Sequence, residues 1–81
     1  FEMADAFIEL ANKYGEQGAV GKVSSALLFA AARYNAFYVA AVENISLEKE
    51  QDVAMRYFTD QYQKMLNDNF EDYKTNPLPG K

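Results

Sequence analysis

Two of the residue types that most often do chemistry in proteins are missing from this chain: it has no His and no Cys. A nucleophile activated by a neighbouring base therefore lacks its usual partners. The common zinc sites are excluded as well, as are the Glu-x-x-His pairs of di-iron bundles. Carboxylates remain. Glu48, Glu50, Asp52, Asp60, Asp68, Glu71 and Asp72 crowd the C-terminal half. A magnesium site would need such acids to converge, and their spacing instead spreads them along the solvent side of a helix. "GEQGAVGK" (Gly15 to Lys22) resembles a phosphate loop at a glance. The Walker spacing requires Gly where the chain has Glu16 and Ser or Thr where it has Val23, and no strand precedes the segment. No catalytic, cofactor-binding or metal-binding residue is assigned, and the chain is expected not to be an enzyme.

The remaining candidate for specific chemistry is "ALLFAAARYNAFYVAA", Ala26 to Ala41. It is apolar except for Arg33, Asn35 and the two Tyr hydroxyls. The elements around it explain why a cation would stand there. Met3, Phe7, Leu10 and Tyr14 recur at helical spacing, so a first helix is expected over Phe1 to Tyr14. Glu2, Asp5 and Glu9 suit its positive end, and Gly15 is the expected left-handed cap. A glycine-rich turn follows. A second helix is then expected from Val20 to Glu43, rich in Ala, the best helix former. At ~1.5 Å per residue it would be about 36 Å long. "ENIS" interrupts it, and Ser46 is the expected N-cap of a third helix from Leu47 to about Lys74, with Glu48 and Glu50 in its first turn. Leu47, Ala54, Phe58, Tyr62, Met65, Leu66, Phe70 and Tyr73 share one face of that helix, with Val53 and Tyr57 on the other side.

No strand signal is visible. The expected architecture is all-α: a three-helix up-down arrangement with a short first helix and a long antiparallel pair, because a short connection makes its helices antiparallel neighbours. Residues 1–75 form the expected single helical domain and residues 76–81, with Pro77 and Pro79, a flexible tail.

A domain of 81 residues is small, and without Cys no disulfide can brace it. Packing quality or assembly must supply the difference. On the second helix Val20, Val23, Leu27, Tyr34 and Tyr38 form one stripe, adjoined by Leu28, Val39 and Val42. Ser25, Ala32, Ala36 and Ala40 form another, with Phe29 among them and Phe37 at its far edge. A helix apolar nearly all round needs cover nearly all round. Two neighbours in the same chain cover about half to two-thirds of it. Small residues spaced by four let a further backbone approach closely, and a second copy across a two-fold axis is the simplest supplier. Ser25, Phe29, Ala32, Arg33, Ala36 and Ala40 are the expected oligomer interface of a dimeric helical bundle. Arg33 would lie at its boundary, costly unless paired with an acid from another helix.

Length alone would let Val23 to Val42 cross a bilayer. Arg33 near its centre opposes this by roughly 2.5–3.5 kcal/mol on insertion scales, and Ser24, Ser25 and Asn35 add to the penalty. The formal charge of −4 disfavours nucleic acid and anionic membrane surfaces. No secretory signal is visible.

"ADAFIELAN" (Ala4 to Asn12), "FAAARYNAFYVA" (Phe29 to Ala40) and "FTDQYQKMLNDNFEDY" (Phe58 to Tyr73) resemble a family of small uncharacterised proteobacterial proteins carrying a domain of unknown function, family number 3144. The shared motifs are packing motifs. The resemblance implies a bacterial, cytoplasmic protein and carries no catalytic residues with it. The expected function is a non-catalytic helical interaction module that forms a homo-oligomer, with a dimer favoured, and binds a further protein partner. The alternative is a small-molecule or acyl-chain binder with an aromatic pocket between helices, because six Phe and six Tyr supply its large side chains.

Overall fold

A computed structural model of the chain describes residues 2–43 and 45–78. Phe1, Asn44 and the last three residues of the expected tail, Pro79, Gly80 and Lys81, lie outside the described residues. The protein is all-α, with helices α1 (Glu2–Gly15), α2 (Val20–Phe37) and α3 (Leu47–Thr75) and a π-helical segment (Tyr38–Val42). There is no strand among the described residues. The chain divides into two compact units, Phe1–Asn44 and Ile45–Lys81.

In the first unit α1 packs against α2. Glu2 and Asp5 stand in the first turn of α1 and Lys13 in its last, each matching the sign of the helix end beside it. The turn after α1 differs from expectation. Gly15 is the last helical residue, and the left-handed position falls at Gly18, with φ of 89°. Beyond Gly15 the backbone keeps pairing with itself. The Glu16 N–H donates to the Asn12 carbonyl at 3.0 Å, Gln17 to Tyr14 at 3.2 Å and Gly18 to Gly15 at 3.0 Å. These bonds occupy the Asn12, Tyr14 and Gly15 carbonyls, and the reversal falls three residues later, at the next glycine. Helix α2 then begins without a side-chain cap, because Ala19 at its N-cap offers only a backbone carbonyl, which accepts from Val23 at 3.0 Å.

The second departure is at the other end of α2, where a continuous α-helix to Glu43 is expected. The Tyr38 N–H still reaches the Tyr34 carbonyl four residues back, shared with that of Asn35, but the Glu43 N–H reaches the Tyr38 carbonyl at 3.1 Å, five residues back. This wider turn is a π-helix, which α-helical periodicity does not announce. Val39, inside it, is the buried apolar residue of the described chain, 7% exposed.

Among its described residues the second unit contains one helix. α3 starts where expected, but not by the expected device: Ser46 is extended (φ −75°, ψ 111°) and its side chain makes no capping bond. Its carbonyl accepts from Lys49 at 3.2 Å and Glu50 at 2.8 Å. At the far end side chains turn back on the helix. Thr75 Oγ1 donates to the Glu71 carbonyl (3.2 Å), Asn76 Nδ2 to Asp72 Oδ1 (3.1 Å), and Lys74 Nζ pairs with Glu71 Oε2 at 2.7 Å. Pro77 has no N–H with which to continue the ladder. Ala54 and Phe58, four apart on the expected apolar face, are the half-buried residues of α3, whereas Val53 and Tyr57 are exposed.

Candidate functional site

The residues expected at the interface lie on one run of backbone. Ser25, Phe29, Ala32, Arg33 and Ala36 are on α2 and Ala40 is in the π-helical segment. All six are exposed in the single chain. Within α2, a repeat of three or four residues returns each of the first five to neighbouring positions on the surface. At Ala40 the wider turn interrupts that phase, so a spacing of four from Ala36 no longer returns to the same line.

The exposure of α2 is the main feature of the site. None of its residues is buried, which is equally true of α1 and α3, but α2 is the most apolar of the three. Phe29 is 72% exposed, Tyr34 68% and Phe37 52%. Leaving such large rings in water forfeits roughly 25 cal/mol for every Å² of apolar surface that cover would remove. Asn35 is half-buried.

Phe29, Ala30, Arg33, Tyr34 and Phe37 line an open groove. The rings of Tyr34 and Phe37 lean together with centroids 5.6 Å apart and planes at 47°. The groove belongs to a single helix, which differs from an aromatic pocket between helices. Sequence reasoning placed Phe29 and Arg33 at the site but missed Ala30 and the Tyr34–Phe37 pair. Their three-residue spacing was the available signal, since i,i+3 side chains meet on a helix.

Arg33 is the cation of this groove and makes no ion pair among the described residues. No Asp or Glu occurs between Val20 and Val42, so neither α2 nor the π-helical segment contains an acid for it. The acids lie on α1, in the connecting segments and on α3. Among the described residues no group of three or more carboxylates gathers in a way that could hold a metal ion. A second, polar depression on α3 is lined by Asp60, Gln63, Lys64 and Asn67, which combine charges of both signs with amide groups.

Val20–Val42 is also long and apolar enough to cross a membrane by length and composition, with a mean hydropathy of 1.3 over its most apolar stretch. Lys22 and Arg33 are its two charges.

No curated protein and no solved structure matches the chain. A family model described as "Protein of unknown function (DUF3144)" matches residues 1–74. That match takes in all of α1, α2 and the π-helical segment, and α3 as far as Lys74. The chain belongs to this family.

Proposed function

We propose that the protein is a non-catalytic helical interaction module that works as a homo-oligomer, a dimer being favoured, in the cytoplasm. The observation that carries the reading is that α2, the most apolar of the three helices, stays exposed. A helix rich in Ala, Leu and Phe has no buried residue in the single chain. Contiguous apolar surface of this kind marks an interaction site. Ser25, Ala32 and Ala36 admit a second backbone, and Phe29 and Phe37 beside them supply the ring area that anchors interfaces. Across a two-fold axis the same patch serves both copies. Arg33 then meets an acid from outside α2, which sets register between subunits. A further protein partner would bind the assembled module. Arg33 at mid-segment weighs against the bilayer as the cover for α2, and the acidic balance of the chain weighs against nucleic acid.

Light scattering after size exclusion, with thermal melts at several protein concentrations, tests this. A dimer whose melting point rises with concentration is expected. A monomer whose melting point ignores concentration overturns the reading.

The groove around Arg33 supports a second reading, a small-molecule or acyl-chain binder. Three rings beside one unpaired cation suit an apolar ligand with an anionic end. Native mass spectrometry separates the two: a retained small ligand on a monomer favours the binder, and a ligand-free dimer favours the module.

A further inference from the structure

We draw no further inference here: the strongest candidate, the cationic and aromatic face of α2 around Arg33, belongs to the surface already read as the subunit contact, and nothing in the structure shows what else covers it.

Discussion

Gly18 and Gly21 are three residues apart and have opposite requirements. Gly18 holds φ of 89°, where a side chain is strained even though an added Cβ would meet no atom within 4 Å. Gly21 lies inside α2, has no such φ and also has open space around its missing Cβ. Gly18→Ala is therefore expected to destabilise by about 1–2 kcal/mol. Gly21→Ala should stabilise by about 0.5–1 kcal/mol, through helix propensity and a less free unfolded chain. Urea titrations of both variants check the opposite signs, and equal signs would contradict the assigned turn. Val39 makes the same kind of contrast with Val42. Val39→Ala removes two methyl groups from a buried position and should cost about 1–2 kcal/mol, whereas Val42→Ala, at 59% exposure, should cost much less. The sequence placed both valines on an apolar side of the helix. It could not rank them, because burial depends on what the π turn brings inward.

At the scale of elements, helix existence was legible and extent mostly so. The apolar spacing of α1, the Ala content of α2 and the long face of α3 are local properties; α1 and α3 begin and end within a residue of the expected positions, whereas α2 starts where expected but ends at Phe37, its last turns passing into the π-helical segment. What capped them was less legible. Ser46 occupies the right position with the right backbone, yet its hydroxyl makes no capping bond. Ser46→Ala is thus expected to cost only a few tenths of a kcal/mol, against ~1 kcal/mol for a Ser that caps. Denaturation of the variant measures this, and a loss above 1 kcal/mol would show that the hydroxyl does cap the helix in solution. α3 itself is held at its start by the Ser46 carbonyl and favourable acids, and at its end by Thr75, Asn76 and the Lys74–Glu71 pair. That exposed pair contributes little, of the order of 0.3–0.5 kcal/mol.

For the whole molecule the decisive question is what covers α2. Ala36→Glu puts a carboxylate where two backbones should meet, next to aromatic surface. Burying it without a partner would cost several kcal/mol, so the proposed dimer is expected to dissociate into monomers. The freed face should leave those monomers less stable or prone to aggregate. Lys64→Glu, in the polar depression of α3, is the matched control and should leave the assembly unchanged. Scattering mass and concentration-dependent melts of the two variants decide the matter. An Ala36→Glu protein with the wild-type mass and melting point would remove α2 from the interface.

The sequence by itself determined the all-α class, the spans of α1 and α3, the start of α2, the lack of Cys and His, and the apolar run of α2 interrupted by Arg33. Each is a matter of composition or of spacing within one helix, where the causes lie a turn or two apart. Structure alone decided the rest. The left-handed turn moved to Gly18, and the backbone groups after Gly15 found partners along the way. The π turn at Tyr38–Val42 widened a helix that local propensity would have continued unchanged, with Val39 buried inside it. Tyr34 and Phe37 lean together along an open groove beside Arg33 that no stripe on a helical wheel had singled out. Periodicity names the face a residue belongs to. Which face stays in water depends on atoms that come from elsewhere in the fold or from another molecule.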